Sequence, residues 1–253
     1  DQKESHACTG FALATVVHYM LRRRDSNPDR TLVSPSMLYE MARRYDEYPG
    51  ERYLGASARG GMKGWYNRGV CRNELWPFTI DRKDHRKDRR LTSERANDAA
   101  KRPLGAYLRV SHQDLVAMHC ALAEVGILYA VANVHEGWWP GYAKWVEKKV
   151  PKSKWLNSIP DGMIRSSNDR VGAHAIAIVA YDETGFWIQN SWGESWGKGG
   201  FGHLAYDDWL ENGLDAWIGR LGVPVVLRGS DSAAALTAGS PVSRASAMCE
   251  LRP

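Results

Sequence analysis

Cysteine is scarce in this chain of 253 residues, with only Cys8, Cys71, Cys120 and Cys249. No two of them have the spacing of metal ligands, and four are too few for a secreted scaffold that depends on disulfides. We therefore expect no metal ion and no cofactor, and a reducing compartment is slightly favoured. Because the chain begins at Asp1 rather than at Met, we also expect residues upstream of it, which leaves secretion open.

Long apolar runs and a strong excess of one charge are also lacking. No stretch approaches the roughly 18 apolar residues of a membrane span. The 34 basic residues are nearly matched by 29 acidic ones, which leaves a net charge of +5. Residues 81–102 are densest in charge, but aspartates interrupt them and no aromatic side chain is interleaved for base stacking. We predict a solvated loop and an exposed helix there, and neither a nucleic-acid nor a membrane partner.

The most informative stretch lies between Gly172 and Gly202. His174 opens an alternating apolar run, residues 182–185 are typical of a tight turn, and residues 186–189 return as a second strand. The predicted hairpin brings His174 and Asn190 to the same end. An amide oxygen beside a histidine accepts its ring N–H and orients the ring, as a catalytic base requires.

A nucleophile for that base is found near the start of the chain. Residues 8–23 predict a buried helix with Cys8 in its first turn, where free N–H groups and the helix dipole favour a thiolate. Gln2, six positions earlier, supplies a side-chain donor. The alternative is that Cys8 is a small buried hydrophobic residue, which is how we interpret Cys71 and Cys120.

Together these residues resemble a papain-like cysteine peptidase. Gln2, Cys8, His174 and the run from Asn190 to Gly193 stand in the order of that family, and the similarity extends from Gln2 to about Gly222. The resemblance implies an α+β fold with a mostly helical half, about 1–110, and an antiparallel β half, about 111–223. The active-site cleft would lie between the halves, with an insertion at about 135–170 and a flexible tail at 224–253.

The resemblance also implies a mechanism. Cys8 would attack a peptide carbonyl as the thiolate, with His174 as its acid–base partner and Asn190 holding the imidazole ring. The side-chain amide of Gln2 and the N–H of Cys8 would stabilise the oxyanion. The expected partner is a peptide or protein substrate, acted on by a monomer, with an inhibitory segment upstream of Asp1 as a further possibility.

For the substrate cleft, the resemblance implies backbone hydrogen bonds from Gly60 and Gly61 to an extended peptide. Ala173, just before the histidine, would form a wall of the cleft. Trp192 would line the site and shield the Asn190–His174 hydrogen bond from water, the alternative being plain core packing.

Three departures from the family pattern leave alternatives open. The family's earlier cysteine and the aromatic residue after the nucleophile are absent, with Ser5 before Cys8 and Thr9 after it. His174 lies 166 positions beyond Cys8, which implies an insertion. An inactive peptide-binding module and a thiol acyltransferase or amidase therefore remain as rival functions. The tryptophan-rich part of residues 135–170 is either a lid or packs onto the core.

Overall fold

In a computed structural model of the chain, helices precede a six-stranded antiparallel sheet. The structure describes residues 1–3, 5–24, 28–48, 54–79, 90–140 and 159–224. The four helices before the sheet are α1 (Cys8–Arg22), α2 (Pro35–Arg44), α3 (Ala58–Arg68) and α4 (Ser93–Ala99).

The strands, in chain order, are β1 (Leu104–Val110), β2 (Leu128–His135), β3 (Arg170–Tyr181), β4 (Gly185–Gln189), β5 (Phe201–Ala205) and β6 (Gly213–Leu221). Between them lie α5 (Leu115–Val125), a 3₁₀ turn (Glu136–Trp138) and α6 (Tyr206–Asn212). Neighbouring strands run antiparallel in the order β1-β6-β2-β3-β4-β5. The predicted α+β class is confirmed.

The predicted hairpin is also confirmed. Strand β3 lies between β2 and β4, and its residue Ala177 is opposite Gln189 while Tyr181 is opposite Phe186. His174 precedes Ala177 by three residues and Asn190 follows Gln189 directly. The register of the hairpin therefore carries the histidine and the asparagine to the same end of the sheet.

Strand β3 contributes to two hydrophobic clusters on opposite faces of the sheet. Ala175 and Ala177 pack with the buried face of α1, whereas Ile176 and Ile178 join a cluster rich in tryptophan. Successive residues of a strand point to opposite faces, so one strand serves both clusters. The start of α1 is thereby held against the backbone of β3.

The prediction of an exposed helix within residues 81–102 is wrong in part, because α4 has buried residues. Asp98 of α4 is 5% exposed, and its Oδ2 accepts from the Arg102 guanidinium at 2.9 Å and from the Arg72 N–H at 2.8 Å. Arg95 is also buried, with its guanidinium 4.2 Å from the centre of the Trp76 ring. Part of the charge here is therefore paired within the fold. Residues 80–89 lie outside the described part of the chain.

Two features of the structure bear on the expected boundaries of the helical half, the insertion and the tail. Strand β1 ends at Val110, where the helical half was expected to end, and it pairs with β6. Residues 141–158 of the expected insertion and almost all of the expected tail are outside the described residues. Among the helices that are described, none is both long and apolar enough to cross a bilayer.

His18, in the middle of α1, makes stability depend on pH. Its Nε2 accepts the Val33 N–H at 2.9 Å, and burial, assisted by the charge of Arg22, lowers its pKa to about 4. An unfolded histidine titrates near 6.5, at about 1.4 kcal/mol per pH unit. Between about pH 6.5 and pH 4 the unfolded chain takes up a proton that the folded chain refuses, so this contribution to stability is lost as pH falls.

We therefore expect the His18→Gln variant, measured by urea unfolding at pH 7, 6 and 5, to lose less stability on acidification than the parent protein. The difference should reach about 2 kcal/mol at pH 5. The amide oxygen of glutamine can still accept from Val33. His6→Gln, at an exposed position, is the matched control and should keep the parent's acid sensitivity. Equal slopes for the parent and His18→Gln would contradict the assignment.

Candidate active site

His174 and Asn190 are hydrogen-bonded at the end of the β3–β4 hairpin. The His174 ring is 6% exposed, and its Nε2 lies 2.8 Å from Asn190 Oδ1. Because an amide oxygen only accepts, Nε2 carries the hydrogen and the other ring nitrogen, Nδ1, is left as the acceptor. The Ser191 N–H donates to the same amide oxygen at 2.7 Å, which fixes the orientation of the Asn190 side chain.

Tryptophan rings surround the histidine on its buried side. Trp192 stacks on His174 with ring centres 4.6 Å apart, and Trp139 stacks on Trp192 at 3.6 Å. Trp138 meets His174 edge to face at 6.4 Å. Trp192 is only 3% exposed, so the expectation that it contacts substrate is wrong. Its contacts fit the other expected role, which is to exclude water from the His174–Asn190 hydrogen bond.

The burial of Trp138 and Trp139 bears on the tryptophan-rich segment. Both rings are in the core cluster that also holds Trp196, and the Trp196 indole N–H donates to the Trp138 carbonyl at 3.1 Å. Trp138 and Trp139 therefore pack onto the core rather than forming a lid. Tyr142, Trp145 and Trp155 lie outside the described residues.

Cys8 begins α1 and is half-buried against β3. Burial raises the pKa of its thiol, although the N–H of Ala175, the N–H and hydroxyl of Thr9 and its own N–H face the sulfur and act in the opposite direction. Removal from water outweighs these donors. The N–H groups at the start of the helix thus act in the expected direction but do not outweigh burial, and a thiolate here requires a charged partner. His174 precedes Ala175 and supplies the neighbouring base.

Gln2 connects the beginning of the chain to the asparagine end of the site. It is 5% exposed, and its N–H donates to the Ser191 carbonyl at 2.8 Å. Its side-chain oxygen accepts from the Ser191 hydroxyl at 2.5 Å, and its side-chain nitrogen donates to the Ser5 carbonyl at 3.1 Å. A primary amide has two N–H groups, so Ser5 occupies only one of them.

Gly60 and Gly61 occupy a different environment from the one expected. Both are buried in the first turn of α3, where their N–H groups bond to the Ser57 hydroxyl at 3.0 Å and the Ser57 carbonyl at 3.1 Å. A Cβ at Gly60 would lie 2.7 Å from the Ala42 carbonyl, and one at Gly61 would lie 2.8 Å from Leu13 Cδ1. The glycines allow close helix packing, and the prediction that they bind a peptide backbone is wrong.

The non-helical segment Gly55–Ser57, just before α3, is the part of this region that lies beside the nucleophile. It is half-buried, and the Thr9 hydroxyl donates to the Ala56 carbonyl at 3.1 Å. The sequence did contain a signal, because Ser57 is a good capping residue that starts the helix three positions before the paired glycines. On the opposite side, Ala173 is exposed next to His174, and no described residue lies within 4 Å of the position of a Cβ on Gly172.

The remaining described cysteines differ from Cys8 and from each other. Cys71 is buried as predicted, and burial together with the charge of Asp98 raises its pKa to about 12. Cys120 is exposed, so the prediction that it is packed is wrong. The buried face of α5 is formed by Met118 and Leu122, and Cys120 lies between them on the other side of the helix.

The fold and the site together define the class of the protein. A thiol at a helix start lies against an antiparallel sheet whose histidine is oriented by an asparagine, as in cysteine peptidases. The model of the papain family cysteine proteases matches residues 55–215, and the chain belongs to this family. The matched range contains His174 and Asn190, whereas Gln2 and Cys8 precede it.

Solved structures show the same fold. The similar structures include xylellain, a cysteine protease from Xylella fastidiosa, at 23% identity and a TM-score of 0.69, covering 87% of this chain and 82% of that one. The Carica candamarcensis cysteine protease CMS1MS2, in complex with E-64, has 15% identity, a TM-score of 0.59 and coverage of 87% and 91%. The bromelain protease from Ananas comosus, in complex with E64, has 16% identity, a TM-score of 0.59 and coverage of 88% and 92%. The expected papain-like fold is confirmed. No curated protein matches the sequence.

Proposed function

We propose that the protein hydrolyses peptide bonds with Cys8 as its nucleophile. The observation that carries this proposal is the 2.8 Å bond between His174 Nε2 and Asn190 Oδ1, which leaves Nδ1 as the proton acceptor. The next residue along β3, Ala175, packs with α1, and its N–H lowers the pKa of the Cys8 thiol. The base and the thiol thus belong to adjoining elements of one site.

The proposed reaction has two stages. His174 takes the thiol proton, the thiolate attacks the substrate carbonyl, and His174 then gives that proton to the leaving amine as the C–N bond breaks. In the second stage His174 accepts a proton from water, and the resulting hydroxide attacks the thioester. The C–S bond breaks, the sulfur recovers a proton from His174, and a free carboxylic acid leaves.

The oxyanion formed in each stage would be stabilised by the Cys8 N–H and by the second N–H of the Gln2 amide. The contacts of Gln2 with Ser5 and Ser191 hold that amide in a fixed position. A group that is fixed before the reaction stabilises developing charge without reorganising during it.

The Gln2→Glu variant tests this role, because it keeps the size of the side chain and an acceptor for Ser191 but removes the N–H donors. Loss of one oxyanion donor costs about 3 kcal/mol, so we expect kcat for a peptide substrate to fall by about 100-fold. Alkylation of Cys8 by iodoacetamide, in a background with Cys120→Ser and Cys249→Ser, creates no oxyanion and serves as the control, with an expected change of less than about threefold. A kcat close to that of the parent would contradict the role.

For the substrate we propose an extended peptide that runs along Gly55–Ser57 on one side and past Ala173 on the other. Gly55 and Ala56 lie outside α3, so their backbone groups are not committed to helix bonds. Ala173 is exposed beside the base. Strand-like pairing to such a backbone captures peptides with little dependence on their side chains.

A second candidate is a peptide-binding module without hydrolytic activity, which the raised pKa of the buried Cys8 thiol favours. Incubation with a diverse peptide library, followed by mass spectrometry, separates the candidates. Hydrolysis gives pairs of fragments whose masses sum to the peptide plus one water, and acyl transfer to an amine gives fragments without that water. Peptides retained by the protein but never cleaved would identify the binding module. Cys8→Ala is the control for products of other enzymes.

A further inference from the structure

The hydroxyl group of Tyr129 is buried inside a hydrophobic cluster. The residue is 1% exposed on β2, in the cluster between the sheet and α1. Within the described part of the chain, its hydroxyl makes no hydrogen bond of ordinary geometry. A buried polar group without a partner costs about 1–3 kcal/mol, a cost that phenylalanine would avoid. The hydroxyl therefore requires an explanation.

The hydroxyl lies at the first turn of α1. It is 3.5 Å from the point that a Cβ on Gly61 would occupy, and the Thr9 methyl carbon is 3.1 Å from the same point. Burial raises the pKa of Tyr129 well above its ordinary value, the Cys8 sulfur and Asp215 on β6 raise it further, and the Thr9 hydroxyl lowers it. Tyr129 thus keeps its proton at neutral pH and remains a hydrogen-bond donor near the Thr9 side chain.

Thr9 lies between the tyrosine and the nucleophile. Its hydroxyl donates to the Ala56 carbonyl at 3.1 Å and also faces the Cys8 sulfur. A hydroxyl has one hydrogen and two lone pairs, so Thr9 can donate to only one of these partners at a time and keeps lone pairs that can accept a hydrogen bond. Thr9 stands where the family places an aromatic residue.

We propose that Tyr129 and Thr9 form a buried hydroxyl relay that stabilises the Cys8 thiolate. When the sulfur gives its proton to His174, the Thr9 hydrogen turns from the Ala56 carbonyl to the sulfur, and the Tyr129 hydroxyl donates to the Thr9 oxygen. No proton is transferred within the relay, because only hydrogen bonds change direction. The relay rests on the proposed role of Cys8. Tyr129, which acts through Thr9, is a positioning residue.

The relay explains why the Tyr129 hydroxyl, a hydrogen-bond donor, is buried between the sheet and the helix that begins at Cys8. The ionisable groups on the strands that pack against the start of α1 include His174 of β3 and Tyr129 of β2, and the N-terminus of α1 adds its N–H groups. A hydrogen bond to a charged sulfur is stronger than one to a neutral thiol. The relay therefore favours the thiolate over the thiol and opposes the effect of burial.

The rate of Cys8 alkylation by iodoacetamide, measured from pH 5 to pH 9, tests the relay without depending on peptide cleavage. The full chain is used with Cys120→Ser and Cys249→Ser, so that Cys8 and the buried Cys71 are its only thiols. In the Tyr129→Phe variant we expect the midpoint of the profile to rise by about half to one pH unit and the rate at pH 6 to fall by about three- to tenfold. Thr9→Val, of equal shape, should shift the midpoint at least as far.

Two further variants distinguish the relay from a packing role. Thr9→Ser keeps the hydroxyl and should retain the parent midpoint, and Tyr129→Phe added to Thr9→Val should shift the midpoint no further than Thr9→Val alone. Unchanged midpoints in folded Tyr129→Phe and Thr9→Val would overturn the relay while Cys8 still reacts. If the parent's Cys8 does not react at any pH, the proposed function fails instead. Should Tyr129→Phe not fold, Thr9→Val and Thr9→Ser decide alone.

Discussion

Replacing Cys8 with alanine is expected to abolish peptide hydrolysis and to leave the fold intact. Loss of the nucleophile from a site whose groups act as a unit lowers kcat by about 10⁴-fold or more, because no other group can form the covalent intermediate. Cys8 begins α1, and alanine is the best helix former, so the helix should persist. Peptide cleavage and circular dichroism of the two proteins measure these two effects.

Thiol labelling supports this test only in a background that lacks other accessible cysteines. Cys120 is exposed and would react whether or not Cys8 is present, whereas Cys71 is buried with a pKa of about 12. We therefore use Cys120→Ser together with Cys249→Ser as the parent, and expect Cys8→Ala to remove the remaining fast labelling. Undiminished turnover by Cys8→Ala would rule out the mechanism.

The parts of the site that the sequence predicted depend on short-range patterns. The β3–β4 hairpin follows from an alternating apolar run and a turn, and its register alone brings His174 to Asn190 at 2.8 Å. The helix at Cys8 follows from a long apolar face with helical periodicity. Both elements are bounded by residues that are close in the sequence, so the physical cause is visible there.

The parts that were missed depend on contacts between distant segments. The paired glycines at Gly60 look like a loop before a helix, but Ser57 starts α3 earlier and places them against α1 and α2. The raised pKa of Cys8 results from burial by β3, about 165 residues further along the chain. The Tyr129 hydroxyl and the Thr9 side chain both lie next to Gly61, which no local pattern around Cys8 indicates.

The second large effect is expected from replacing His174 with alanine. Burial raises the pKa of the Cys8 thiol, so without the imidazole as proton acceptor the thiolate should form only above the ordinary thiol value of about 8.5. We expect the rate of Cys8 alkylation at pH 7 to fall by at least about tenfold, since each pH unit changes the thiolate fraction tenfold. The rate should recover as the pH is raised, and peptide hydrolysis should be lost at every pH.

Asn190→Ala separates the base from its orientation. The imidazole remains in this variant, but the 2.8 Å bond that directs Nε2 away from the sulfur is lost, so hydrolysis should weaken without disappearing. Its alkylation profile should lie between those of the parent and His174→Ala. In the Asn190→Ala variant Trp192 still stacks on the His174 ring, which limits how far the imidazole can turn. If His174→Ala reacted at pH 7 as fast as the parent, Cys8 would not depend on His174 for its thiolate, and the proposed pair would be wrong.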